Sequence, residues 1–524
     1  MTSWFGDSVI ALPRYLCLQL ILFAFLAVIK VFHKLWWTPT RIQKSMATQG
    51  IKGPSYRLVH GNTKQISEMK MEAMSRPKSL SHDIFSHVQP HIQSWTKIYG
   101  KNYLQWHGSK AQLVITEAEL CKEILTNKDG AFQKTETRGY VKRLLGNGLT
   151  RSSGEKWAKL RKLANHAFHG ESLKGMIPAM IASGETMMQR LKNHEGKEIE
   201  VYDEFRFFTS EVISRTAFGS SYLEGKNIFE MLMKLSFLTF KNALKPRFPG
   251  ISKFIKTRDE VESAKLEKGI RDNIMKVIKK REQKAVNGEE DGFGSDFLGL
   301  LLKAHHDTNE KQRISVDDLV DECKTFYFAG QETTNSLLAW TVFLLALHTD
   351  WQDEARQEVL QLFGKQTPNP DGIAKLKTMS MIINESLRLY PPVLSFERRA
   401  EREVRLGKLI VPANVELQIP NLAFHHDAQY WGQDVDLFKP ERFSEGVAKA
   451  TKDNIVAFLP FGMGPRTCVG FNFATIEVKI ALTMILQRYS ITLSPTYVHS
   501  PFHFLTVRPQ HGVKVILHRL NRKD

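Results

Sequence analysis

The sequence predicts one large, mostly helical domain behind a single N-terminal membrane-crossing helix. Three observations lead there. An eighteen-residue apolar run, Tyr15–Phe32, carries one charge, Lys30, near its end. The stretch from Ser315 to about His348 contains no proline and becomes apolar on every side in its second half. No Gly/Ser linker, acidic tail or internal repeat divides the chain after about residue 55, so its 524 residues form one unit although they exceed an average domain.

Composition removes several classes. Hydrophobic content of 42% and charged content of 24% are those of a globular protein and exclude general disorder. Cys17, Cys121, Cys323 and Cys468 are too widely spaced for a zinc pattern or a disulfide framework, and a reducing compartment follows. A net charge of +18 suggests nucleic acid, but the basic residues are dispersed and no recognition motif accompanies them. A membrane surface or an acidic protein partner explains the excess equally well, and no nucleic-acid partner is expected.

The Tyr15–Phe32 run is long enough to cross a bilayer as a helix. His33, Lys34, Trp36 and Trp37 follow as an interfacial anchor, towards which Lys30 can snorkel. Lys30, Lys34, Arg41 and Lys44 outweigh Arg14 on the other side, which places the large C-terminal part in the cytosol. The alternative is a cleaved signal peptide, which needs a basic start and small residues after the run. Here Asp7 lies at the start and bulky residues end it, so the segment is expected to stay uncleaved. Residues 1–34 are thus the anchor. Residues 35–54 form a basic linker whose Gly50-Ile51-Lys52-Gly53-Pro54 reads as a hinge, and 55–524 form the domain.

Within the domain, Trp157 and Arg161 stand four apart on one helix face. Leu235–Ile255 mixes aromatics with Lys and Arg around Pro246 and Pro249. It reads either as a membrane-dipping entrance or as an ordinary helix–turn–helix with a core face. Ser315 and Asp318 form an S-x-x-D start for a helix of some thirty-three residues, about 50 Å at 1.5 Å per residue. In its middle, Ala329-Gly330-Gln331-Glu332-Thr333-Thr334 puts an acid beside hydroxyls between apolar flanks, which is costly unless it serves a function. Glu385 and Arg388 at i, i+3 can pair just before Tyr390-Pro391-Pro392 ends their helix. Phe438-Lys439-Pro440-Glu441-Arg442-Phe443 follows.

Phe461-Gly462-Met463-Gly464-Pro465-Arg466-Thr467-Cys468-Val469-Gly470 then sets one cysteine on a Gly-rich loop before an apolar helix. Gly464 and Gly470 permit close approach, so that backbone N–H groups can point at the sulfur and favour a thiolate. Arg466 offers a fixed cationic fork. A buried structural cysteine is the usual fate of a free thiol, but the ten-residue pattern points instead to a metal ligand.

The pattern F-x-x-G-x-R-x-C-x-G resembles the haem loop of the cytochrome P450 family. The segments at Trp157, Ala329–Thr334, Glu385–Arg388 and Phe438–Phe443 match that family's signatures in order, from about residue 55 to the end. Gly50–Pro54, Ala329–Thr334 and Trp431-Gly432 look like a plant microsomal enzyme, most similar to the 72 clan. The resemblance implies an α-rich fold with a minor β region and a haem b between the long helix and the cysteine loop. Cys468 would be the iron ligand, and Trp157, Arg161, Arg398 and Arg466 would hold propionates, with Phe461 also at the cofactor. Thr333 would order protons and Glu332 would link them to solvent. Glu385, Arg388 and Arg442 would hold the core behind the haem. The implied activity is monooxygenation of a small hydrophobic substrate, such as a terpenoid, hormone or fatty acid. Electrons would come from NADPH through a cytochrome P450 reductase, at the endoplasmic reticulum membrane. A haem-thiolate isomerase or dehydratase acting on a peroxide, and a non-catalytic haem sensor, are the rivals; neither needs the acid–alcohol pair. Pocket walls are expected from Phe132–Leu149, Val393–Phe396 and Phe502–Leu505.

Overall fold

The protein is described by a computed structural model covering residues 4–75, 79–137, 139–243, 256–289 and 291–520. Helix α1 (Trp4–Phe32) continues through a π turn at His33–Trp37 into the helix Thr38–Ala47. Within it, Leu16–Ala47 is long and apolar enough to cross a membrane, and none of its apolar window is buried by protein. Leu20, Phe23, Phe25 and Val28 all project outward, a continuous apolar surface that water does not tolerate and lipid does.

The expected linker over 35–54 is not free. Met46 is wholly buried in a cluster that also holds Leu104 and Trp106, and Ile51 belongs to the same cluster. Lys52 O accepts from the Leu104 N–H at 2.9 Å. Gly53 runs so close that a Cβ there would lie 1.9 Å from the Leu104 carbonyl oxygen. What sequence reads as a hinge is tied to a strand edge, because glycine allows the backbones to meet. Removing residues 1–34 is therefore expected to leave thermal unfolding unchanged. Removing 1–54 should cost about 3 kcal/mol or more, through the space left by Met46 and Ile51, and calorimetry of the two truncations checks this.

The principal helices are α2 (Gly154–Phe168), α3 (Val201–Phe218), α4 (Tyr222–Asn242), α5 (Arg258–Val286), α6 (Val316–Leu347), α7 (Lys377–Leu389) and α8 (Phe471–Leu486). Helix α6 runs through the middle. Ser315 Oγ accepts from the Asp318 N–H, and the Asp318 carboxylate accepts from the Ser315 N–H, both at 3.1 Å, which closes the expected capping box. Leu337 to Ala346 are all buried in the main core. The expected 315–348 helix is found to within a residue at each end. Leu235–Asn242 forms the end of α4, with Leu235 and Thr239 buried and Phe237 exposed; residues 244–255 lie outside the described residues.

Twelve strands are present among the described residues. β1 (Asn102–His107), β2 (Lys110–Ile115), β3 (Phe132–Gln133), β5 (Ser395–Ala400) and β8 (Glu416–Pro420) form a mixed sheet in the order β1-β2-β8-β5-β3. β2 and β8 run parallel and the other pairs antiparallel. β4 (Glu198–Glu200), β9 (Tyr489–Leu493) and β12 (Lys514–Arg519) make a second sheet. The pairs β6 (Val404–Leu406) with β7 (Leu409–Val411) and β10 (Pro501–His503) with β11 (Val507–Pro509) are hairpins. The second hairpin is fastened to α6: Ser336 Oγ and Trp340 Nε1 donate to the Val507 carbonyl at 2.6 and 2.8 Å.

Candidate active site

A cavity of about 270 Å³ opens between α6 and the loop that precedes α8, flanked by α2. The loop takes its shape from glycine. Gly464 has φ +71°, and a Cβ there would meet the Leu125 carbonyl oxygen at 2.4 Å, so this position needs glycine twice over. Gly470, also expected to permit close approach, has an ordinary backbone conformation, and a Cβ there would find Cys468 Sγ at 3.9 Å. The Cys468 N–H donates to the Phe461 carbonyl at 2.8 Å, folding the loop so that the sulfur faces the cavity.

The surroundings of that sulfur oppose one another. Burial pushes the Cys468 thiol up, while the Gly470 N–H and the Arg161 guanidinium pull it down. Gly470 caps α8, so the sulfur also sits near the positive end of a helix dipole. A thiol poised in this way becomes a thiolate when a metal cation binds it.

The cations fit the rest of such a group. Arg161 Nη1 donates to the Thr467 carbonyl at 2.5 Å, and Arg466 Nη2 to the Ser152 carbonyl at 2.8 Å. Arg466 lies 4.6 Å over the Trp157 ring, and its Nη1 is buried without a partner. Burial, then Arg161, lowers Arg466 to about 10; burial, then Arg466 and Arg151, lowers Arg398 to about 10. Lys134 is pushed well below the usual lysine range by burial and by Arg398, Arg151 and Arg466, with Glu397 offsetting part of this. Cations that depress one another's proton affinity beside an orphaned guanidinium N–H make a cradle that fits a dianionic group, such as a haem carrying two propionates.

The structure brings Trp157, Arg161, Phe461, Arg466 and Cys468 onto the cavity wall, and sets Arg398 in the adjoining cation cluster. Lys134 and Arg151 belong to that cluster too, and no motif in the sequence marks them. Thr333 lines the cavity, its hydroxyl donating to the Ala329 carbonyl at 2.8 Å. Gly330 packs against Ile213, where a Cβ would sit 2.8 Å from the side chain.

Glu332 differs from expectation. It is 1% exposed and turns away from the cavity to accept from Thr506 Oγ1 at 2.6 Å and from both Nε (2.5 Å) and Nη2 of Arg508. In this arrangement Thr506 and Arg508 cover the Glu332 carboxylate. Being next to Thr333 in sequence turns it about 100° around the helix axis, onto the hairpin β10–β11. Loop expectations divide similarly. Lys134, Leu149, Val393 and Phe396 do line the cavity, whereas Phe502 and Phe504 line a second cavity beside Arg508.

Behind the cavity, Glu385 and Arg388 form a two-pronged pair at 2.7 and 2.8 Å, both 0% exposed. Arg388 also donates to the His425 and Leu437 carbonyls and lies 5.1 Å over Trp431. Arg442 Nε approaches Glu385 at 3.5 Å, and its other nitrogens hold the Trp431 and Asp434 carbonyls. Leu387, one residue before Arg388, faces the cavity, so this network braces the wall from the far side.

The family model described as Cytochrome P450 matches residues 81–517. Among curated proteins, the chain is 56% identical to "Cytochrome P450 CYP749A22" of Panax ginseng, over 99% of this chain and 100% of that protein. It is 42% identical to "11-oxo-beta-amyrin 30-oxidase" of Glycyrrhiza uralensis, over 93% and 94% of the two chains. Among solved structures, the cytochrome P450DA heme domain aligns with a TM-score of 0.72 at 22% identity, over 84% of this chain and 94% of that one, a likeness of fold.

Proposed function

The chain belongs to the cytochrome P450 family, and from that premise we propose that it is a membrane-anchored plant monooxygenase hydroxylating a small hydrophobic molecule of terpenoid type. The observation that carries the chemistry is the Cys468 sulfur facing a cavity ringed by cations with too few anions. The relative that oxidises 11-oxo-beta-amyrin supports an isoprenoid-derived substrate. Electrons would come from NADPH through a membrane-bound cytochrome P450 reductase docking on the side of the domain near Cys468, with the domain on the cytosolic side of the endoplasmic reticulum.

Bound haem supplies an iron that activates dioxygen, one atom entering a substrate C–H bond and the other leaving as water. The protein's residues do the rest. Cys468 holds the metal. Arg161, Arg398, Arg466 and Trp157 fix the propionates and so the plane of the ring. Ile213, Phe326, Leu337 and Val393 make the substrate side apolar and exclude water. Thr333 presents the hydroxyl through which a proton reaches the reacting oxygen, and Glu332 resupplies it.

The test is a panel of plant terpenoids and hormones offered to the purified protein with reductase and NADPH, watching for a product heavier by one oxygen. Turnover of lipid peroxides without reductase, and no NADPH consumption across the panel, would replace this reading with the isomerase. Thr333→Ala is expected to keep haem and substrate binding while lowering product formed per NADPH by about 10²-fold, the electrons appearing as hydrogen peroxide.

A further inference from the structure

We propose that Arg508 is a positioning residue that holds and gates Glu332, and that water reaches this carboxylate from the cavity between α4, α5 and the hairpin β10–β11. The inference rests on Glu332 being the proton carrier of the proposed reaction. A carrier must exchange protons with water, yet Glu332 is sealed, and its two oxygens are taken by Arg508 and Thr506. Two-pronged, charge-assisted bonds of this kind offset the cost of burying the carboxylate.

What lies beyond the guanidinium shows where the door is. Arg508 is itself a wall of a cavity of about 570 Å³, bounded by Met233, Phe237 and Leu238 of α4, Glu262 and Leu266 of α5, and Phe504. Lys234, Glu262 and Arg508 place charged groups on this cavity's otherwise apolar wall, which give entering water its polar partners. Among the described residues that line it, Arg508 is the one that touches Glu332. The guanidinium cannot carry the proton, since its affinity is raised further by Glu332 after burial is offset. It must move aside, or let water pass beside it.

The local construction suits such movement. The backbone of β11 is pinned to α6 by the two bonds to the Val507 carbonyl, so the strand stays in place. Away from Glu332, the Arg508 side chain lies against the Phe504 ring at 4.1 Å and the Met233 sulfur at 3.8 Å, with Tyr202, its ring at 5.7 Å, as a further polar neighbour. A fixed strand with a side chain held strongly on one face and weakly on the other is a gate whose hinge is χ rotation.

Carboxyl footprinting of the full-length holoprotein tests the gate, with a water-soluble carbodiimide plus glycine ethyl ester as probe and mass spectrometry as readout. Arg508→Gln is expected to raise labelling of Glu332 about tenfold, as charge-assisted bonds are lost, with Arg508→Lys between it and the parent protein. Filling the cavity with Leu238→Trp in the Arg508→Gln background should restore protection. The gate is overturned if Arg508→Gln leaves labelling unchanged, if Leu238→Trp fails to restore protection, or if the 0%-exposed Glu385 becomes labelled in step, since protection would then be global. A second measurement follows hydrogen peroxide released per NADPH without added substrate. Arg508→Gln should raise it, and should add nothing in a Glu332→Gln background; additive effects would sink the positioning role. If Glu332→Gln alone changes nothing, the carrier reading fails, whatever the footprint shows.

Discussion

Cys468→Ser is expected to abolish the red-shifted Soret band that the ferrous, carbon monoxide-bound protein shows, and to remove monooxygenase activity by about 10³-fold or more, some 4 kcal/mol of transition-state stabilisation. Serine matches cysteine in shape, and the loop would survive: Gly464 still takes its positive φ, and the residue-468 N–H still reaches the Phe461 carbonyl. What changes is the donor atom. A hydroxyl is far harder to deprotonate than a thiol, and the Gly470 N–H and Arg161 that help a thiolate cannot make up the difference. Cys121→Ser and Cys323→Ser provide the contrast. Both thiols are buried away from the cavity and pushed up by burial, and Cys121 donates to the Ile115 carbonyl at 3.5 Å. Neither should alter the band. Persistence of the parent spectrum in Cys468→Ser would remove the metal from this sulfur and with it the proposed chemistry.

The parts legible from the sequence are those where chemistry and local structure share a short window. The cysteine loop spans ten residues, and its meaning lies in neighbours along the chain. Helix α6 announces itself through a capping pair and the absence of proline, and its middle acid–alcohol pair is visible for the same reason. The cation cluster was only half legible. Arg466 and Arg161 sit in patterns, whereas Lys134 and Arg151 sit in irregular stretches and join the cluster only when β3 and the residues before α2 are folded against β5. Arg508 is the plainest case. It lies 176 positions from Glu332 in sequence, and the contact exists because Ser336 and Trp340 fasten its strand to α6. The Gly50–Pro54 segment misleads for the opposite reason: glycine and proline mark a hinge and a close backbone crossing alike, and only the strand at Leu104 decides between them.

Breaking the Glu385–Arg388 pair is expected to cost about 3–5 kcal/mol, most of it from the charge left behind. Both side chains are 0% exposed, so a lone Arg388 would be surrounded by the His425 and Leu437 carbonyls and Trp431 without a counter-charge. Glu385→Leu and Arg388→Met should each lower the melting temperature sharply and reduce retained haem, because Leu387 between them faces the cavity. The double variant should be less damaged than the sum of the singles, since it removes both buried charges at once. Arg442→Met should be milder: Arg442 stands 3.5 Å from Glu385 and is itself 12% exposed, so water can reach what it leaves. Thermal melts and haem titration of the four variants separate bracing from catalysis. In protein that has folded, Glu385→Leu should form as much product per NADPH as the parent, whereas Thr333→Ala should melt normally and release peroxide. A network that braces a wall fails through stability, and a hydroxyl that carries a proton fails through coupling; Glu385 variants that stay fully stable yet leak peroxide would move this pair out of the frame and into the reaction.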